Sequence, residues 1–329
     1  MIPSDFRNYF VNSSSSIQQE IVSSLLTMSL QESEISDFKE TKEVECPHCS
    51  CDRIRANGKL KGVQRYVCNG CKKDFSETTG KFWFAMKKKE KLNRYLYCLL
   101  SGYSIRKSAK ETGISIQTSF DWRHKLLTSF SSVFVEEFQG VVESDDLFFA
   151  YSEKGNRNLD RKPKQRGEKT SKAGISDGKV AVVATCDRSG SKDLKVATRG
   201  RISKKDLVNI LKGKLYKAGV LCSDSQSYGA FTKTNTIIHK KFNSSKRQRT
   251  VDKVYHVQNI NNMDMRLRKF MDSFNGVATK YLQNYLNWFL VLEKIKNSTS
   301  KITTVTAIAF ASKSARYDYI QTTTIQYAN

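Results

Sequence analysis

Two stretches carry residue types whose spacing suits chemistry. The first is FQGVVESDDLFFAY, residues 138–151, where Glu143, Asp145 and Asp146 interrupt a run of β-formers: Val141, Val142, Leu147, Phe148 and Phe149, with Gly140 ahead of them. An unpaired charge inside a buried strand is costly. The acids therefore imply either an edge strand with a solvated face or a site that uses them. The second stretch is VECPHCSCDRIRANGKLKGVQRYVCNGCKKDFSETTG, residues 44–80, with two Cys-x2-Cys pairs, Cys46/Cys49 and Cys68/Cys71. Such pairs, each turning two thiolates toward one tetrahedral ion, have the spacing of a four-thiolate zinc site. Cys51 fits a knuckle less well. A closed site of four thiolates is structural, so no reaction is assigned to its metal.

The elements around these residues give them a setting. Val63, Arg65, Tyr66 and Val67 form a strand entering the second cysteine pair, and Gly70 makes the turn within it. Leu92, Tyr95, Leu96, Leu99 and Leu100 repeat at a helical period. Ser104 and Ser115 stand where two short helices begin, and Thr112-Gly113 turns between them. That arrangement is a helix-turn-helix, whose second helix would offer Gln117, Thr118, Arg123 and His124 to DNA. The bland alternative is an ordinary αα-hairpin.

Beyond residue 138 the pattern is α/β. Strands are expected at 141–149, 180–186, 193–198, 220–222 and 236–242, with a Ser203-capped helix between the third and fourth. The fourth strand stops at Ser223-Asp224. Residues 153–179 are polar and basic, including Lys162, Lys164 and Arg166, and read as a loop that contacts phosphates without reading sequence. Residues 255–295 are helical and broken at Gly276. Ile17 to Leu30 suits a short amphipathic helix, and the tail from Asn297 is uninformative.

Composition narrows the function. The chain has 329 residues, 56 basic against 32 acidic, and a formal net charge of +24, which favours a polyanionic partner, nucleic acid first. No apolar run reaches membrane-spanning length, and the first residues lack the order of a signal peptide. A cytoplasmic, nucleoid-associated protein is expected, with cysteines that hold metal rather than disulfides.

The order of elements, with an acid in the first strand and another at the end of the fourth, is that of an RNase H-like fold. Here the sequence resembles insertion-sequence transposases of the IS1595 type, with an ISXO2-like DDE domain. The resemblance runs from about Cys46 to Lys294 and is carried by VESDDLFF, the cysteine pairs and FNGVATKYLQNYLNWF at 274–289. It implies an α/β chain organised as an N-terminal helical segment (1–40), a zinc ribbon (41–82), a helix-turn-helix region (84–132), an RNase H-like catalytic domain with a mixed sheet (136–296) and a tail (297–329). It also implies a nuclease site of two Asp and a third ligand, Glu or Asn, followed by a basic residue. Those positions fall on Asp145, Asp224, Asn261 and Arg268. Many relatives have Lys at the last position, so Lys269 is the fallback, and Asp264, one turn from Asn261, is the competing third ligand. Side-chain alternation does not choose Asp145 by itself, because Glu143 shares its face. The implied cofactors are structural Zn2+ and catalytic Mg2+ or Mn2+. The implied partner is double-stranded DNA, both terminal inverted repeats and target, bound by a homodimer or larger assembly. Two other readings remain open: a DNA-binding regulator with a degenerate nuclease domain, and a nuclease or resolvase acting on branched nucleic acid.

Overall fold

The structure, a computed structural model, describes residues 44–60, 62–133, 137–159, 162–163, 174–224, 226–235, 237–242, 250–297 and 301–311. The helix expected at Ile17 to Leu30 lies outside them, as do Lys164 and Arg166. The described chain divides into two units. One takes the residues up to Thr79 with Trp83–Ser119, the other Gly80–Phe82 and the residues from Phe120 onward.

The first unit opens with a three-stranded antiparallel sheet, β1 (Ile54–Leu60), β2 (Val63–Cys68) and β3 (Asp74–Ser76). Phe75 is buried against Cys46 and Cys68, with Tyr66 stacked on Phe75. Three helices follow: α1 (Leu92–Leu100), α2 (Ile105–Thr112) and α3 (Ile116–Ser129), the last crossing into the second unit. The expected caps are present: Ser104 Oγ accepts from Lys107 N, and Ser115 Oγ from Thr118 N. Gly113 closes α2 at φ 61°, a left-handed position that glycine adopts without the Cβ penalty. Leu92, Tyr95, Leu96 and Leu99 are buried in α1, and Ser119 Oγ donates to Ile105 O, tying the start of α3 to the start of α2.

The second unit holds a five-stranded mixed sheet. In chain order its elements are β4 (Gln139–Ala150), β5 (Lys179–Asp187), β6 (Lys192–Arg199), α4 (Lys204–Leu211), β7 (Lys217–Ser223), α5 (Gln226–Asn235), β8 (Ile238–Lys241), α6 (Gln258–Asp272), α7 (Leu282–Lys294) and α8 (Lys301–Ala311). The strand order is β6-β5-β4-β7-β8. β4, β5 and β6 pair antiparallel, and β4, β7 and β8 pair parallel. This is the strand order expected of an RNase H-like sheet. Its central strand, β4, carries the acids.

The two faces of β4 go to different helices. Val142 joins Phe138, Ala181, Val183 and Leu221 in a core closed by Leu207 and Leu211 of α4 and Tyr228 and Phe231 of α5. Burying several large apolar side chains there is worth about 2 kcal/mol each, which makes this the main stabilising layer of the sheet. Glu143, Asp145 and Leu147 point to the other face, where α6 packs on β4 and β5 and α7 on β6.

Two elements differ from expectation. Helix α5 was not anticipated between β7 and β8. Its sequence, QSYGAFTKTN, contains Gly and several Thr, poor helix formers, and only the spacing of Tyr228, Phe231 and Thr232, all buried, marks its apolar face. The stretch assigned to an uninformative tail contains α8, which buries Val305 and Ala309.

Candidate metal centres and nucleic-acid interface

The cysteine pairs converge. The ligand atoms of Cys46, Cys49, Cys68 and Cys71 all lie within 4.8 Å of one another, with Sγ–Sγ separations of 3.6 Å for Cys46–Cys71 and for Cys49–Cys68. Four sulfurs at about 2.3 Å from one zinc ion would stand about 3.8 Å apart, so the donor set fits tetrahedral zinc. The knuckle backbone supports a thiolate at Cys68. Cys71 N and Gly70 N donate to Cys68 Sγ at 3.4 and 3.3 Å, and these bonds hold the Cys68 thiol down at about 6. Gly70 has a packing reason as well: a Cβ there would stand 3.2 Å from Cys51 Sγ.

The acids of β4 are separated by their partners. Asp146 faces α5, where Tyr228 Oη donates to its Oδ1 at 2.9 Å and Ser144 Oγ donates to Tyr228 Oη at 3.1 Å. Burial lifts Asp146 to about 6, against the pull of the Tyr228 bond. Glu143, fully buried, faces α6 and accepts from the first-turn amides of Asn259 and Ile260. Asp145 shares Glu143's face.

Strand register gives Asp145 its neighbour. Glu143 pairs with Cys222 in the parallel β4–β7 ladder, and Asp224 follows the end of β7, its carboxylate close enough to Asp145 to act on it. Neighbouring strands are about 4.8 Å apart, and paired residues in a parallel ladder point to one face. The electrostatics agree. Burial, then the Asp224 carboxylate, raises Asp145 to about 7, with Asp146 and Asp264 adding to the rise and a bond from Asp146 N opposing it. Two crowded carboxylate donors, one of them reluctant to ionise, form the hard-oxygen pair that a divalent cation relieves.

Helix α6 packs on β4 and β5, with Asp264 near Asp145. Ile260, Met263, Leu267 and Met271 form its buried stripe, and Asn261 is exposed just past the first-turn amides that Glu143 holds. Arg268 stands about two turns further along, its Nε donating to Asp264 at 2.9 Å and its guanidinium 5.9 Å from the Phe149 ring of β4. Lys269 is exposed. Asp264 thus pairs with Arg268 within its own helix while lying close enough to Asp145 to add to its rise. Among the described residues, no third Asp, Glu, His or Cys joins Asp145 and Asp224 in a cluster like that of the cysteines.

The expected DNA-reading residues part company. Gln117 is exposed on the first turn of α3, and Thr118 is half-buried, its Oγ1 2.8 Å from Ser115 Oγ. Arg123 does not fit a base-reading role: it is 1% exposed, with its guanidinium 5.3 Å from the Trp288 ring. His124 is buried too. Its ring stacks on Tyr281 at 3.8 Å, and burial, then Arg123 and Lys280, pushes it down to about 3. A helical period showed where these side chains sit along α3 but not that a later helix covers them. Lys162 is exposed.

Residues 137–290 match the model of the ISXO2-like transposase domain. An uncharacterised protein of the transposable element ISH50, from Halobacterium salinarum, is 28% identical over 174 residues, a match that takes in 48% of this chain. The chain spans about half the length of that curated relative, 56% of it. Solved structures of the Mos1 transposase are also similar. The paired-end complex with the left transposon end matches at 10% identity and a TM-score of 0.22, over 65% of this chain and 78% of that one. The pre-cleavage Mos1 transpososome matches at 9% identity and a TM-score of 0.21, over 66% of this chain and 78% of that one. Among the described residues, no helix is long and apolar enough to cross a membrane.

Proposed function

We propose that the chain, whose residues 137–290 match the model of the ISXO2-like transposase domain, is a DNA transposase that cuts at the terminal inverted repeats of its element and joins the freed 3′-hydroxyl to target DNA. The observation that supports this reading is the nearness of the Asp224 carboxylate, just past the end of β7, to buried Asp145 on β4. Asp145, Asp224 and the Asn261 carbonyl would hold Mg2+ or Mn2+, which supplies activation of the attacking oxygen and charge neutralisation at the phosphodiester. The protein's own residues do the rest. The sheet holds Asp145 within β4 and Asp224 directly after β7, so little reorganisation would be left for the moment of reaction. Arg268 contacts a DNA phosphate, giving up part of its pair with Asp264 when it does. Neutral Asn261 keeps the site at two carboxylates, so ions bind weakly until a substrate phosphate completes their ligand set.

The ribbon and helix-turn-helix bind the repeats, with Gln117 and Thr118 at base edges and Lys162, Lys164 and Arg166 on phosphates. The net charge of +24 supports a polyanionic partner. A cut at both ends calls for two or more copies on the DNA.

The test is a joining assay. Pre-cut repeat duplexes with a free 3′-hydroxyl, incubated with a plasmid target and Mg2+, should yield joined products with the wild-type chain and none with Asp224→Ala. Sequence-specific binding of the repeats without joining or cleavage would point instead to a regulator. Cutting of branched DNA without preference for the repeats would point to a nuclease of another kind.

A further inference from the structure

Helix α6 begins without a cap of its own. Its N-cap residue is Val257, which offers no side-chain acceptor, and its first turn contains no acid. The first amides of a helix have no partner within it and need one from outside. Here the partner comes from β4, more than a hundred positions earlier. Glu143 Oε2 accepts from Asn259 N at 2.9 Å and from Ile260 N at 3.2 Å, and Oε1 accepts from Asn259 Nδ2 at 2.8 Å. His256 Nδ1 lies 3.2 Å from Oε1. The carboxylate is fully buried at the positive end of the helix dipole, where a negative charge is most stabilising. A strand residue is doing what Ser, Thr or Asp normally does from within the helix.

Its position gives this cap a second consequence. Glu143 and Asp145 are successive residues on one face of β4, about 6.6 Å apart along the strand. On the helix side, Asn261 follows immediately after Ile260, whose amide Glu143 holds. One carboxylate therefore sets the height of the first turn of α6 on the sheet, one residue before Asn261 on the helix and two residues before Asp145 on the strand. The aliphatic stripe of α6 supplies adhesion but tolerates sliding, whereas two backbone hydrogen bonds to one buried oxygen do not.

We propose that Glu143 is a positioning residue of the nuclease site: it locks the first turn of α6 to β4 and so fixes Asn261 relative to Asp145 and Asp224. The inference rests on the reading of Asp145, Asp224 and Asn261 as the metal site. The Glu143 carboxylate oxygens are taken up by Asn259, Ile260 and His256.

Glu143→Gln tests it, because the amide keeps size and one acceptor oxygen while removing the charge and the acceptor that faces Asn259 Nδ2. Hydrogen exchange on the full chain, free of DNA and metal, should show faster exchange of the Asn259 and Ile260 amides in the variant, with β4 and β5 amides still protected. In cleavage of a repeat duplex, the variant should bind DNA with wild-type affinity. It should lose about 10- to 100-fold in cutting rate, the range seen when a group supporting a metal ligand is removed, and need more Mg2+ for half-maximal rate. A merely structural role would lower stability and DNA affinity but leave the Mg2+ midpoint in place. Asn259→Ala, which removes only the Nδ2 bond of an exposed residue, should shift exchange and midpoint the same way but less. It also decides the matter should Glu143→Gln fail to fold. Unchanged exchange, or changed exchange with wild-type rate and Mg2+ midpoint, overturns the proposal. If the wild-type chain cuts no DNA, the transposase reading is what fails, and the exchange data alone then uphold or overturn the clamp.

Discussion

Replacing Asp145 by Asn should stabilise the metal-free protein at high pH and hardly at all at low pH. In the folded chain burial, followed by the Asp224 charge, lifts Asp145 from 3.8 to about 7. An acid whose folded pKa is raised binds its proton more tightly folded than unfolded, so stability falls as pH rises from the unfolded value to the folded one and levels off above it. Between pH 5 and pH 8 the interval still to be traversed is about two pH units, from 5 to 7, or about 2.7 kcal/mol at 1.36 kcal/mol per unit. Asn has nearly the same shape and no charge to bury, so the variant escapes this loss. Asp146 titrates in both chains and largely cancels in the comparison. Urea unfolding of wild type and Asp145→Asn in chelator, at pH 5 and pH 8, measures the difference. Tryptophan fluorescence can follow it, since Trp122 and Trp288 are buried in the second unit. The variant's advantage should grow by about 2–3 kcal/mol from the lower to the higher pH. Added Mg2+ or Mn2+ should narrow it by stabilising only the wild type. An advantage equal at both pH values, or a variant less stable at pH 8, would refute the crowded-carboxylate picture.

Other outcomes follow from the same geometry. Metal analysis after reducing purification should find about one zinc per chain, and Cys46→Ser should abolish it and weaken repeat binding while the second unit stays folded. Arg123→Ala should cost about 2–4 kcal/mol of stability by emptying the space beside Trp288, whereas Gln117→Ala should change stability by less than about 0.5 kcal/mol and weaken repeat binding; thermal unfolding and gel-shift titration separate the two. Asn261→Ala should cut cleavage severely and Asp264→Ala only mildly, and the reverse ranking in a cleavage assay would move the third ligand to Asp264. Neutralising Lys162, Lys164 and Arg166 together should flatten the salt dependence of DNA binding, by about 0.9 in log–log slope for each phosphate these side chains neutralise, with little change in sequence preference.

The sheet was legible because its strands announce themselves locally. VAVVATC is apolar but for Thr185, as suits a strand buried on both faces, and β5 is buried from Val180 to Asp187. The cysteine pairs were equally plain, since their chemistry depends on short-range spacing. Helix α5 was hidden because its propensities argue against it and only packing on the sheet supports it. The acids of β4 show the limit most clearly. Sequence offers Glu143, Asp145 and Asp146 as near equals, and what separates them is tertiary: α6 takes Glu143, Tyr228 takes Asp146, and Asp224 arrives beside Asp145. Arg123 shows the converse, a basic residue at a plausible recognition position whose environment comes from Trp288, far along the chain. A Ser, Thr, Asp or Asn at the N-cap would have flagged an ordinary cap for α6. The apolar Val257 there was the available sign that its partner lay elsewhere.

The central claim is that Asp145 and Asp224 together hold the ions that cut DNA. Its most direct measurement is cleavage of a labelled terminal-repeat duplex by the wild type, Asp145→Ala and Asp224→Ala, each titrated with Mg2+ and Mn2+ and with duplex binding measured in parallel. The account predicts metal-dependent cutting at the repeat end by the wild type, and no cutting by either variant despite unchanged duplex binding. Metal-dependent cutting that survives Asp145→Ala would contradict it.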